Sequence, residues 1–160
     1  MAKKSIEVRK NKVADISTDL KNREKQVSEI EDTYSKAFDL RIQMENSNLD
    51  DELLEEARKE SEKRLNDLKA DGEKLSEEMN DETKRLEEVR EENNDSFDET
   101  NTKKKDAEKF DSLTNGAVSE KFDQALSDIK NISNEINDAQ KKLDELVRRA
   151  GNISKGRSSF

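Results

Sequence analysis

The chain has no cysteine, no histidine, no proline and no tryptophan, and only four glycines in 160 residues. Without cysteine there is no disulfide, no thiol nucleophile and no thiolate zinc site. Without histidine the commonest general base and the commonest metal ligand are both missing. No cofactor, metal or small-molecule substrate is therefore expected. The scarcity of proline and glycine matters most for structure. Disordered segments are usually proline-enriched, whereas helix interiors exclude it.

Apolar residues are also few. They make up 29% of the chain, against 44% charged residues. A mixed globular domain has nearly the reverse balance. Such a bias fits either a disordered chain or long helices that each bury a narrow seam. Periodicity decides between them. No apolar run approaches the roughly 20 residues needed to cross a bilayer. Met1-Ala2-Lys3-Lys4-Ser5 lacks the apolar run of a cleaved signal peptide. The expectation is a protein that is cytoplasmic as synthesised, with export open only through a route needing no cleaved signal, and without membrane insertion.

The net charge of −9 is uneven. Residues 51–100 carry 20 acidic and 9 basic side chains, while residues 1–12 and 141–160 are each at +4. An acidic middle repels nucleic acid. Lys103-Lys104-Lys105 has no interleaved aromatics, so no nucleic-acid partner is expected.

What the sequence does contain is three segments with apolar residues at alternating steps of three and four, the pattern of helices packed along a seam. The clearest is Val118, Phe122, Ala125, Ile129, Ile132, Ile136, Ala139, Leu143, Leu146 and Ala150. Arg148 and Arg149 suit a helix C-terminus, and Gly151 suits a left-handed cap. The first segment runs Ile6, Arg9, Val13, Ile16, Leu20, Arg23, Val27, Ile30, Tyr34, Ala37, Arg41, Met44, with Phe38, Leu40 and Ile42 widening the stripe. Asn46-Ser47-Asn48 ends it, and Ser47 with Asp50 resembles a capping box for the next helix. The second seam is Leu54, Arg58, Ser61, Leu65, Leu68, Gly72, Leu75, Met79, Glu82, Leu86, Val89, Asn93. Its register passes through Gly72 unbroken, which favours a helix there over an Asp71-Gly72 turn.

The expected fold is all-α: an elongated antiparallel hairpin or bundle with coiled-coil-like heptad seams, forming a single helical domain over 1–160. Helices are expected at about 4–46, 49–92 and 117–150. Residues 93–106 lose the period and read as an irregular connection, and 114–116 as a turn. Asp67, Asp71, Gly72 and Glu78 fall in a calcium-loop frame, but Lys69 and Lys74 occupy positions that frame reserves for an oxygen donor and an apolar residue. Paired acids such as Glu77 and Glu78 are adjacent and point in different directions around a helix. The chain is therefore read as a non-enzyme.

Narrow-striped helices are marginal alone in water and need one another, or a partner's helices, to be stable. The seam Val118, Phe122, Ile129, Ile132, Ile136, Leu143 and Leu146 is read as the pairing surface, for the first helix or for a helical partner, either another protein or a second copy. Thr114-Asn115-Gly116, followed six residues later by Phe122 and a long amphipathic helix, resembles the WXG family of type VII (ESX) secretion substrates and the related small helical partners of LXG toxins. Asn115 and Gly116 would form the turn of that family, and Thr114 stands where the family has tryptophan. The resemblance implies a secretion substrate, or a targeting partner or chaperone of an LXG-type toxin, acting by helix pairing. The rival reading is a self-assembling structural coiled coil, such as a phage scaffold or a spacer.

Overall fold

The computed structural model describes residues 2–110, 113 and 116–156. Four α-helices account for most of them: α1 (Ala2–Glu45), α2 (Asp51–Glu78), α3 (Asn80–Ala107) and α4 (Ala117–Ser154), with a short 3-10 turn at Glu108–Phe110. No strand occurs among the described residues. The protein is an all-α helical bundle, as the periodicity required.

The helix ends follow local chemistry. Asp50 is the N-cap of α2, with φ −67° and ψ 160°, and its side chain accepts from the Leu53 N–H at 2.9 Å. Asp51 and Glu52 then place negative charge at the positive end of the helix dipole. Ser47, expected to open this helix, instead closes the previous one: its Oγ donates to the Met44 carbonyl at 2.6 Å. The α4 helix begins after Gly116, whose φ of +79° is the left-handed conformation that glycine alone adopts freely. Its carbonyl accepts the Glu120 N–H at 3.0 Å.

Three boundaries differ from expectation. Residues 93–106 are not an irregular connection; they continue α3 to Ala107. The three-four register runs on through Asn93, Ser96 and Thr100, but with polar side chains, so apolar periodicity vanishes while helical periodicity does not. Asn93 and Thr100 are buried. Next, the helix expected over 49–92 is divided at Met79. That residue stays right-handed (φ −69°, ψ −10°), and its N–H still reaches the Leu75 carbonyl at 3.1 Å. Gly72 lies inside α2, which also rules out a calcium-loop backbone at residues 67–78. Finally, α4 does not stop at Gly151. A mid-helix glycine costs only about 1 kcal/mol, and three residues past Ala150 the seam gains Ile153, which is almost wholly buried. The left-handed glycine is Gly156 (φ +71°), whose N–H bonds to the Ile153 carbonyl at 3.0 Å.

Where the sequence reads as one domain, contacts divide the chain into two units: residues 1–20 with 81–142, and residues 21–80 with 143–160. In the first unit, α1 and α3 are antiparallel. Arg9 meets Asn93, Lys12 meets Glu92 and Asp19 meets Arg85. The first part of α4 is antiparallel to α3 as well, with Lys104 against Asp123 and Asn93 against Ile129. Val13, Ile16, Leu20, Leu86, Val89, Ile129, Ile132 and Ile136 fill the space between the three helices. Each such side chain contributes about 1.5–3 kcal/mol by leaving water.

In the second unit, α2 runs antiparallel to α1, with Arg58 against Glu45 and Arg23 against Glu78. The last part of α4 supplies the third helix. Tyr34, Ala37, Leu65, Leu68 and Ile153 form one buried cluster, with Ile30 packed against it. Gly72 sits where Ala150 and Ile153 pass. A Cβ there would lie 3.0 Å from the Ala150 carbonyl oxygen and 3.0 Å from the Ile153 Cγ2. The absent side chain is what lets α4 approach α2 so closely.

Candidate functional site

The side chains singled out as a pairing seam are distributed over both units. Ile129, Ile132 and Ile136 are buried in the first, Leu143 and Leu146 in the second. Val118 and Phe122, at the start of α4, are half-buried. The five buried residues are thus already covered by the chain's own helices, so an external helix could reach them only by displacing one of these. Of the expected turn, Gly116 has the left-handed backbone described above; Asn115 and Thr114 lie outside the described residues.

Each unit carries a polar cluster inside its seam. In the first, Arg9 is 3% exposed and donates from Nε to Asn93 Oδ1 at 3.1 Å, and through its other nitrogens to Ser5 Oγ at 2.6 Å and Ser96 Oγ at 2.8 Å. Asn93 passes the connection on, its Nδ2 donating to the Ile129 carbonyl at 3.0 Å. Five residues from three helices are joined. Burial pushes the Arg9 guanidinium below its ordinary pKa, and Glu92 nearby pushes it back up. A guanidinium stays charged across any working pH. The cluster is therefore a buried cation held by neutral acceptors, which fixes the geometry of the helices around it.

In the second unit, Arg149 of α4 forms a fork on the Glu31 carboxylate and also donates to Ser28 Oγ at 3.1 Å. The hydrogen bond to Glu31 raises the Arg149 pKa, opposing the effect of burial. Glu31 is buried although it falls between seam positions Ile30 and Tyr34. Arg149, read in the sequence as a complement to the helix dipole, is in fact the partner of this buried acid.

Outside these seams, several large apolar side chains face solvent. Phe38, Leu40 and Ile42 on α1, with Leu49 and Leu53 at the α1–α2 hairpin, are each more than two-fifths exposed. The first three are the residues that widen the α1 stripe in the sequence, and the structure leaves them exposed. Phe97, Phe110 and Leu113 are similarly exposed in the first unit, Leu113 most of all at 80%. Phe38, Leu40, Ile42, Leu53 and Phe97 lie on helices whose other outward positions are mostly charged.

Charged residues around the hairpin are partly paired. Arg58 donates to both Glu45 oxygens at 2.7 Å and lies 3.8 Å from Glu55. This bond holds the Glu45 carboxyl below its ordinary pKa and the Arg58 guanidinium above its own. Among the described residues, no group of three or more acidic side chains is placed to hold a metal ion, and no helix is long and apolar enough to cross a membrane. No protein-family model matches the chain, and neither a curated protein nor a solved structure is similar to it.

Proposed function

We propose that this chain is a non-enzymatic interaction protein that binds another helical protein through apolar side chains left outside its own bundles. The observation that carries the reading is the set Phe38 and Ile42 on α1, Leu49 in the α1–α2 connection and Leu53 on α2, all exposed among outward positions that are mostly charged. Exposed apolar groups gathered in one region mark interaction sites on proteins that otherwise keep such groups inside. The narrow seams satisfy folding within the chain; these residues are surplus to it.

The resemblance to WXG-type and LXG-partner proteins narrows the proposal to a type VII secretion substrate, or a targeting partner or chaperone for an LXG-type toxin. Gly116, left-handed and directly ahead of α4, and Phe122 six residues after it support this reading. The test is co-expression with the helical proteins encoded beside its gene, followed by purification and light scattering. Stable co-purification in a defined ratio, lost when Phe38 and Ile42 are replaced by glutamate, is the expected result. A chain that ignores those proteins and instead assembles with itself as concentration rises would favour a structural scaffold or spacer.

A further inference from the structure

The second unit is a three-helix bundle for only part of its length. Its third helix, α4, ends at Ser154, and Gly156 lies level with Tyr34 of α1 and Lys69 of α2: a Cβ on Gly156 would come within 3.6 Å of the Tyr34 Oη and 2.9 Å of the Lys69 Cε. Beyond that level, α1 continues to Glu45, and α2 has come back from Asp51. Eleven residues of α1, about 16 Å or three turns, therefore lie past the end of the third helix.

Burial changes about one turn farther toward the hairpin. Along the α2 seam, Leu68 and Leu65 are buried, while Ser61, Arg58 and Leu54 are only half-buried. Along α1, Tyr34 and Ala37 are buried, while Arg41 and Met44 are half-buried. The register does not change; the cover does.

The exposed apolar residues stand where a third helix would pass. On α1, Ser28 and Glu31 are the residues that touch Arg149 of α4. Phe38 is one heptad beyond Glu31, and Ile42 is two heptads beyond Ser28. Both therefore share the face that α1 turns toward α4, and both are 47% exposed. On α2, Gly72 touches α4, and Leu54 lies 18 residues before it, five full turns and the same face. Leu40, by contrast, is nine residues from Glu31, two and a half turns, and so points the opposite way.

We propose that this third-helix track, which no described residue of α4 occupies, between Phe38 and Ile42 on one side and Leu54 on the other, is a docking groove for an amphipathic helix of about three turns, borne by a partner protein and flanked by lysine or arginine. The proposal rests on the interaction reading above and adds the site and the chemistry of its occupant. Charge selects that chemistry. Residues 45–62 carry eight acidic side chains against two basic ones, net −6. Two copies meeting tip to tip would bring two such clusters together, which costs free energy. A basic helix gains from the same field. Three turns are too short to be helical alone in water, so the segment would fold as it binds or belong to a longer helix.

The test uses the full chain and two synthetic amidated peptides of about 14 residues, with leucine at three-four spacing on one face. One peptide carries lysine and the other glutamate on the remaining positions. Binding is read by fluorescence anisotropy at about 0.15 M salt, where loose surface attraction is screened within ~8 Å. The lysine peptide should bind and the glutamate peptide should not. Phe38→Glu with Ile42→Glu should weaken binding at least tenfold, while Leu40→Glu on the opposite face should change it less than twofold. Circular dichroism should show all variants helical, since these positions are exposed. The groove is overturned if Leu40→Glu weakens binding as much as the double substitution, or if the double substitution has no effect. It is also overturned if the glutamate peptide binds equally, or if light scattering reveals a dimer that the double substitution abolishes, since a second copy would then be the occupant. Peptide failure with continued co-purification of a neighbouring protein removes this groove but leaves the interaction reading standing.

Discussion

The Arg9 Nε donates to Asn93 Oδ1 at 3.1 Å, joining two residues 84 positions apart and both almost fully buried. A buried donor that loses its acceptor costs about 1–3 kcal/mol. Replacing Asn93 with leucine leaves the Arg9 cation without that acceptor. Asn93→Leu should therefore destabilise the chain by about that amount in urea unfolding, despite adding an apolar side chain to the seam. Replacing both partners removes the buried polar groups together, so Arg9→Leu combined with Asn93→Leu should recover most of the loss. A double-mutant cycle reads the coupling directly. Additive losses would mean that the two side chains act independently.

Two helical glycines should respond to alanine in opposite directions. Gly151 lies within α4 with nothing inside 4 Å of where a Cβ would go. Gly151→Ala should stabilise by about 0.5–1 kcal/mol through helix propensity and reduced freedom of the unfolded chain. Gly72→Ala has the same propensity gain, but its methyl would press on the Ala150 carbonyl oxygen and on Ile153 at 3.0 Å. A backbone oxygen in a packed helix has little room to retreat, and overpacking costs about 1–3 kcal/mol. Gly72→Ala should be destabilising in the same urea titration. Two stabilising substitutions would mean that α4 does not pass close to Gly72.

These positions also show what was legible in the sequence. The seams could be read because Ile129, Ile132, Ile136, Leu143 and Leu146 are apolar as well as periodic, and hydrophobic burial is what spacing reports. The continuation through Asn93, Ser96 and Thr100 could not be read that way. Its register is carried by hydrogen-bonding groups, whose partners, Arg9 and the Ile129 carbonyl, are distant in sequence. Helical spacing alone, with polarity set aside, would have shown it. Ile153, three residues after Ala150, was available as a sign that α4 continues, but Gly151 reads more strongly as a stop than its cost of about 1 kcal/mol warrants. Glu31 was hidden because charge on a helix usually means solvent, and the opposing Arg149, distant in sequence, makes its burial tolerable. The exposed stripe at Phe38 and Ile42 was visible as a widening; that α4 ends before covering it depends on relative helix lengths, which no local pattern encodes.

The hairpin beneath that stripe should be sensitive to acid at one ion pair. Arg58 holds the Glu45 carboxyl below its ordinary value near 4.5 through a hydrogen bond. Because the folded pKa is depressed, the contribution of this pair is present above the unfolded value and disappears as pH falls through the folded one. The affected window lies below about 4.5, so neutral-pH behaviour should be unchanged. A carboxyl NMR titration should place the Glu45 midpoint lower in the native chain than in Arg58→Gln. Identical midpoints would remove the interaction from any account of the hairpin.

The seam of α4 makes the most severe prediction. Ile136 is 1% exposed, packed in the first unit. Ile136→Asp removes its apolar contacts and places a carboxyl where water does not reach, two penalties that add. The loss should be about 4 kcal/mol or more, enough to unfold a marginal domain. Ile136→Val keeps the site apolar and should cost only about 0.5–1.5 kcal/mol. A buried carboxyl favours its neutral form, so the aspartate variant should melt less readily near pH 5 than near pH 8, measured against the valine variant at each pH. If the aspartate variant melts with the native chain at both values, residue 136 is in water, and the three-helix packing of the first unit fails with it.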